Sequence, residues 1–97
     1  MSDNFILTGI DVSLECFQRD WKKLSPTEQK EVRKAFGEMI LCERMPARLH
    51  FHKLHGFDVH TIHATADDKI KASFKIVNRV AVMRRIGLHD KIDKEPD

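Results

Sequence analysis

The spacing of apolar residues changes along this chain, from a helical repeat in the first half to an alternating repeat in the second. Val32, Ala35 and Met39 recur at intervals of three and four residues, which is typical of one face of an α-helix. From Ile70 to Ile76 every second residue is apolar, as in a strand with one buried face. Helices followed by strands predict an α+β domain in which the helices cover one face of a sheet.

Two helices are expected before the strands. The first would begin near Asp11 or Ser13 and run to about Leu24. The second has the clearest start signal in the chain, because residues 25–28 (Ser-Pro-Thr-Glu) combine an N-cap serine, a proline at the first helical position and a capping-box glutamate. It would run to about Leu41 and form a helical hairpin with the first.

The strands are expected on both sides of this hairpin. An apolar stretch at residues 5–8 predicts an N-terminal strand, and a strand near residues 59–65 would precede two more, which Asn78 and Arg79 join in a tight turn. We therefore expect the helical hairpin to pack on one face of a small antiparallel sheet. Alternation would place Lys71, Lys75 and an arginine at residue 84 or 85 on the other face, as an open basic surface.

Size and composition indicate one domain. The chain has 97 residues, of which 41% are hydrophobic, enough for one compact unit with residues 94–97 as a flexible tail. The alternative is that the acidic end, residues 93–97, folds over the basic face. No apolar run approaches the roughly 18 residues that span a bilayer, and the N-terminus lacks a signal-peptide pattern, so we expect a cytoplasmic protein. Cys16 and Cys42 fall in helical patterns and are expected as reduced thiols.

Positive charge is concentrated in the second half of the chain. Residues 1–42 carry six Lys or Arg against seven Asp or Glu, whereas residues 43–91 carry ten against five. All six histidines lie in the second stretch. A basic region with many histidines favours a polyanionic partner, with nucleic acid first. A merely solvated basic face is the alternative.

Three short motifs lie in that region. His52 opens the segment His-Lys-Leu-His-Gly at residues 52–56, His63 precedes Asp67 by four positions, and His89 ends the segment Arg-Ile-Gly-Leu-His at residues 85–89. In this order, and over residues 11–93, they resemble the RelE/ParE superfamily of bacterial toxins, above all its YafQ branch. The resemblance implies a RelE-like fold and a ribosome-dependent endoribonuclease of messenger RNA that inhibits translation and is held in check by an antitoxin.

Such cleavage needs a base for the ribose 2′-hydroxyl, an acid for the leaving 5′-oxygen and positive charge near the phosphorus. Histidine, with an unperturbed pKa of about 6.5, suits the first two roles. We expect His52, His63 and His89 to transfer protons, Arg85 to stabilise phosphate charge and Asp67 to orient a histidine, with no metal or cofactor. Contacts to RNA phosphates are expected from Lys53, Lys69, Lys71, Lys75 and Arg84.

Other functions remain open. Histidines at residues 50 and 52, or 60 and 63, could hold zinc, although we rank this below proton transfer and expect His50, His55 and His60 to have no task.

ParE-like members of the superfamily inhibit DNA gyrase without being enzymes, and fold does not decide between the two uses. Where the YafQ pattern has aromatic residues that stack on bases, this chain has Asp68 and Asp93. A catalytically silent binding module is therefore a third interpretation.

Overall fold

The computed structural model describes residues 7–40, 46–54, 56, 58–67 and 69–96. Five strands form one sheet: β1 (Gly9–Asp11), β2 (His52–Lys53), β3 (His60–His63), β4 (Ile70–Val77) and β5 (Val80–Leu88). The α-helices are α1 (Glu15–Lys22), α2 (Pro26–Met39) and α3 (His89–Lys94), and a 3-10 turn spans Ala47–Leu49. The expected α+β class, with a helical hairpin beside a sheet, is confirmed.

The sheet has the order β1-β5-β4-β3-β2. The strands β3 to β5 pair in antiparallel fashion, as expected, and β2, which was not predicted, pairs antiparallel with β3. By contrast, β1 runs parallel to β5, with Gly9 opposite Val80. The sheet is therefore mixed and not wholly antiparallel. Its first strand also lies later than residues 5–8: Leu7 forms a parallel bridge with Ile40, and residues 5 and 6 lie outside the described part.

A two-residue turn joins β4 and β5. Asn78 and Arg79 have φ angles of 51° and 66°, the left-handed values that this kind of hairpin turn requires at both positions. The expected turn is confirmed. Further along, Ser73 lies opposite Arg85 and Phe74 opposite Met83, so that Arg84 is the extra residue of a β-bulge.

The two helices of the hairpin differ in how their starts could be predicted. In α2 the Ser25 hydroxyl accepts a hydrogen bond from the Glu28 amide and the Glu28 carboxylate accepts one from the Ser25 amide, so the capping box is confirmed. The expected cap of α1 at Asp11 or Ser13 is wrong, because Leu14 occupies that position. The Asp11 carboxylate instead accepts the Ser13 amide at 2.8 Å and closes a turn before the helix.

The hydrophobic core lies between the helical hairpin and the sheet. Phe17 of α1 stacks against Trp21 with ring centroids 6.0 Å apart, and its ring is tilted against that of Phe36, 6.3 Å away, so the aromatic side chains of the hairpin pack on the core. The fully or almost fully buried side chains around them are Val32, Ala35, Met39, Ile62, Ala72, Phe74, Met83 and Ile86. Burial of these apolar groups is the main source of stability and fixes which face of each strand is turned away from the hairpin.

The second face of the sheet is not the open basic surface that alternation predicted. The helix α3 packs on β4 and β5 with Ile92 fully buried. Pro96 is also buried, and its carbonyl accepts a hydrogen bond from the Ser73 hydroxyl. Pro96, expected as part of a flexible tail, therefore packs on this face, and Lys71, which donates to Asp93 of α3, is only 3% exposed. Among the described helices, none has the length and apolar character to cross a membrane.

Candidate functional site

Histidines from three separate segments meet on the face of the sheet that α3 covers. Because Ile62 enters the core, its neighbours Thr61 and His63 in β3 lie on this opposite face. The His63 ring lies 4.8 Å from that of His50 and 5.0 Å from that of His89, measured between centroids. We call His50, His52, His63 and His89 the histidine cluster.

His52 joins the cluster through a local hydrogen bond. Its Nδ1 lies 2.8 Å from the carbonyl oxygen of His50, and since a carbonyl only accepts, Nδ1 carries the hydrogen. In the neutral ring Nε2 then has a lone pair, and the Thr61 hydroxyl lies 3.4 Å from it. His52 is thus held in the tautomer that can accept a proton at Nε2. His50, to which the sequence analysis gave no task, supplies the orienting carbonyl and a neighbouring ring.

His89 is oriented by a carboxylate on its own helix. Its Nδ1 lies 3.1 Å from Oδ2 of Asp93, one helical turn away, and Oδ1 of Asp93 lies 2.5 Å from Nζ of Lys71. Burial alone would raise the pKa of Asp93, but the hydrogen bond and charge of Lys71, with His89 and His52 nearby, lower it below its ordinary value. Asp93 is therefore an ionised acceptor at the edge of the cluster.

Asp93 also belongs to the candidate site, although it was expected only as a position that lacks an aromatic ring. The spacing of four residues between His89 and Asp93 is the signal that could have found it, because residues four apart share one face of a helix. Helix α3 has only six residues, too few for a periodic apolar pattern to reveal it.

Asp67, expected to orient a histidine, is engaged in a turn. Its carboxylate accepts hydrogen bonds from the Thr65 hydroxyl at 2.6 Å and the Lys69 amide at 3.1 Å. These bonds lower the pKa of Asp67, with that from Thr65 contributing most. The residue shapes the connection between β3 and β4, and the carboxylate placed against a cluster histidine is that of Asp93 instead.

Arg85, expected to stabilise phosphate charge, is paired within the fold. Its Nε and Nη2 donate to the Asp20 carboxylate of α1 at 2.6 and 3.3 Å, and the Ile86 amide donates to the same carboxylate at 3.1 Å. The hydrogen bond to Asp20 raises the pKa of Arg85. Beyond the end of β1, helix α1 lies along the edge of β5 and supplies hydrogen-bond partners for its backbone. Asp20 accepts from the Ile86 amide, and Cys16 donates to the Arg84 carbonyl.

The expected RNA-binding lysines differ in exposure. Lys53 and Lys69 are exposed, Lys75 is half-buried, and Lys71 is buried against Asp93. The half-buried Arg84 is the bulged residue of β5.

An open cleft of about 560 Å³ lies beside His89 and is lined by Lys69, Leu88, Asp90, Lys91 and Lys94. Lys91 and Lys94, which the sequence analysis did not single out, therefore add positive charge next to the cluster.

His60 lies outside the cluster, on the core face of the sheet. Its ring is parallel to that of Phe51, 5.2 Å away, and lies 6.0 Å from Phe74. Burial lowers the pKa of His60, and the charge of Lys53 adds to the effect. His60 and His63 therefore face different sides of β3. Within the described ranges, no three His, Cys, Asp or Glu side chains are placed to hold a metal ion. His55 and Asp68 lie outside those ranges, as does Cys42.

Comparison with known proteins gives a likeness in structure. No protein-family model matches the chain, and no curated protein matches it in sequence. The solved structure of a copper-bound mutant toxin from Helicobacter pylori is similar, with a TM-score of 0.58, 14% sequence identity, and coverage of 91% of this chain and 99% of that chain. At this identity the likeness concerns the fold alone. The chain is thus an α+β protein that shares its fold with that toxin.

Proposed function

We propose that the chain is a toxin of the RelE/ParE superfamily, of the YafQ type, and that it cleaves messenger RNA on the ribosome. The observation that carries the proposal is the convergence of His50, His52, His63 and His89 on one face of the sheet. These imidazoles come from distant parts of the chain, and we infer that they act on a single phosphodiester. The fold shared with a solved toxin supports the same assignment.

The orientation of the rings suggests separate roles. His52, with its hydrogen on Nδ1, takes the proton of the ribose 2′-hydroxyl at Nε2. The 2′-oxygen attacks the phosphorus and the bond to the 5′-oxygen breaks, leaving a 2′,3′-cyclic phosphate. Protonated His89, steadied by Asp93, gives its Nε2 proton to the departing 5′-oxygen. His63, whose ring contacts those of His50 and His89, is given the role of donating to a non-bridging oxygen.

The surroundings of the cluster suit a polyanionic substrate. The side chains of Lys53 and Lys69 are exposed, and Lys91 and Lys94 line the cleft beside His89. Such lysines bind phosphates without reading sequence, so they would seat the messenger or ribosomal RNA. A cognate antitoxin is the partner implied by this function, and covering the same basic cleft would block access to the ribosome.

The test is expression in a bacterium of the wild type and a variant carrying His52→Ala, His63→Ala and His89→Ala, with mapping of messenger RNA 5′ ends in ribosome-associated transcripts. We expect growth arrest and new in-frame cuts that disappear in the triple variant. A Lys34→Ala variant, changed on an exposed face of α2, should cut as the wild type does.

Two outcomes would contradict the proposal. Growth arrest without new cuts would indicate another target, such as the DNA gyrase of ParE-like proteins. Normal growth on expression of a folded protein would indicate a binding module that is not a toxin.

A further inference from the structure

A buried lysine lies directly behind the histidine cluster. The side chain of Lys71 is 4% exposed, although it stands in the middle of the sheet face that alternation assigned to solvent. Burying an ammonium group costs several kcal/mol unless a partner compensates. The carboxylate of Asp93 is that partner for Lys71.

The two oxygens of Asp93 serve two different side chains. Oδ1 accepts from Lys71 at 2.5 Å, and Oδ2 lies 3.1 Å from Nδ1 of His89. A carboxylate held at one oxygen by a fixed donor has little freedom to rotate, so the other oxygen is fixed too. The ring of His89 therefore takes its orientation, through Asp93, from Lys71.

The base of this chain of contacts is rigid. Lys71 lies in β4 between two paired strands, opposite His63 on one side and Gly87 on the other. Ile92 is buried on the same helix as His89 and Asp93, and the Pro96 carbonyl accepts from the Ser73 hydroxyl. These contacts hold α3 in a fixed position on the sheet. Lys71, through its bond to Asp93, then fixes the orientation of the His89 ring.

We propose that Lys71 is a positioning residue: it holds Asp93, and through it keeps His89 in the tautomer with hydrogen on Nδ1, so that Nε2 is the nitrogen that exchanges a proton. The inference rests on the proposed function for the meaning of that proton transfer, but the positioning itself can be measured without RNA. It replaces the expectation that Lys71 contacts RNA phosphates, because a side chain 4% exposed and already paired has little surface to offer.

The first measurement is nitrogen-15 NMR of the histidine side chains in the full-length protein, which distinguishes protonation at Nδ1 from protonation at Nε2. In the wild type at a pH where His89 is neutral, we expect the hydrogen on Nδ1. Lys71→Met and Asp93→Asn should shift His89 towards a mixture of the two tautomers, whereas Lys71→Arg should retain the wild-type pattern. An unchanged His89 spectrum in folded Lys71→Met would overturn the proposal.

Two matched variants control this experiment. Asp90→Asn removes a carboxylate from the same helical turn, 3.7 Å from Nδ1 of His89 and with a side chain 97% exposed, and should leave the tautomer unchanged. Lys34→Met removes an exposed lysine elsewhere. Thermal unfolding of each variant shows whether it is folded, and if Lys71→Met is not, Asp93→Asn tests the same restraint, with an unchanged tautomer again overturning it.

The second measurement is the rate of cleavage of ribosome-bound messenger RNA. Lys71→Met should lower kcat by at least about tenfold with little change in KM, because proton transfer itself supplies roughly 10²- to 10⁴-fold and Lys71 acts only through Asp93. Lys71→Arg should recover most of the rate. A nuclease whose kcat is unaffected by Lys71→Met would contradict the positioning role and leave the proposed function intact. A wild type without nuclease activity would remove the proposed function, while the NMR result still decides whether Lys71 positions His89.

Discussion

Asp20 is a buried charged residue whose loss should destabilise the fold. Its carboxylate is 5% exposed and serves both Arg85 and the Ile86 amide. Asp20→Ala leaves Arg85, whose side chain is only 18% exposed, without its partner, so we expect the free energy of unfolding to fall by about 3 kcal/mol or more.

Urea unfolding checks this prediction, and the surface pair of Arg48 and Glu38 is the control. Their side chains are 47% and 31% exposed, so Glu38→Ala should cost between about 0 and 1 kcal/mol. If Asp20→Ala and Glu38→Ala lowered the free energy of unfolding equally, the prediction for Asp20 would be contradicted.

The pKa of Asp93 gives a prediction about acid. Because the native pKa lies below the ordinary 3.8, the unfolded chain binds the proton more readily, and the carboxylate stabilises the fold at pH values above 3.8. That contribution is lost as the pH falls through the native pKa. Measured by urea unfolding between pH 2 and 7, the stability difference between the wild type and Asp93→Asn should be full above about pH 4.5 and shrink below it. A difference independent of pH would contradict the ion pair with Lys71.

Among the elements, the hairpin between β4 and β5 offers a stabilising change. Arg79 has a φ of 66°, which costs a residue with a Cβ about 1 kcal/mol relative to glycine. The backbone carbonyl of Arg79 accepts hydrogen bonds from Thr8, and glycine keeps that carbonyl. Arg79→Gly should therefore raise the free energy of unfolding by roughly 0.5 to 1 kcal/mol. Arg79→Ala, which retains a Cβ, should give no such gain in the same denaturation experiment.

The elements also show what could be predicted from sequence. The start of α2 and the turn at residues 78 and 79 follow from side chains within four positions of one another, and both were predicted correctly. The parallel pairing of β1 with β5 joins residues about 70 positions apart, and no local signal specifies it. Lys71 lies on the predicted face of its strand, but its burial was not predicted, because strand alternation gives the face of a residue and not what later covers that face.

For the whole molecule, the distribution of charge predicts how ribosome association depends on salt. Lys91 and Lys94 line the cleft beside His89, whereas Lys30 and Lys34 lie exposed on α2. If the first pair binds phosphates, changing both to Gln should reduce the slope of log K against log salt by about 0.7 to 0.9 for each phosphate that is no longer neutralised. Changing Lys30 and Lys34 to Gln should leave the slope as it is. If both double variants reduced this slope equally, ribosome association would depend on net charge and not on the lysines of the cleft.

The site was predictable in part at this scale. The motifs of His52, His63 and His89 lie far apart in sequence, and the fold places all three on one face together with His50. Their orienting partners were not predictable, because Asp93 and Lys71 come together only when α3 packs on β4. Whether Arg85 also acts on phosphate stays a prediction.

The most direct test of acid and base catalysis by the histidine cluster is the chemistry of the RNA ends. Purified protein is incubated with ribosomes that carry a defined messenger RNA, and the new ends are identified. Attack by the 2′-hydroxyl predicts a 2′,3′-cyclic phosphate, or the 3′-phosphate derived from it, beside a 5′-hydroxyl, with both products absent in the variant carrying His52→Ala and His89→Ala. Ends with a 3′-hydroxyl and a 5′-phosphate, or cleavage that survives in that variant, would contradict the account.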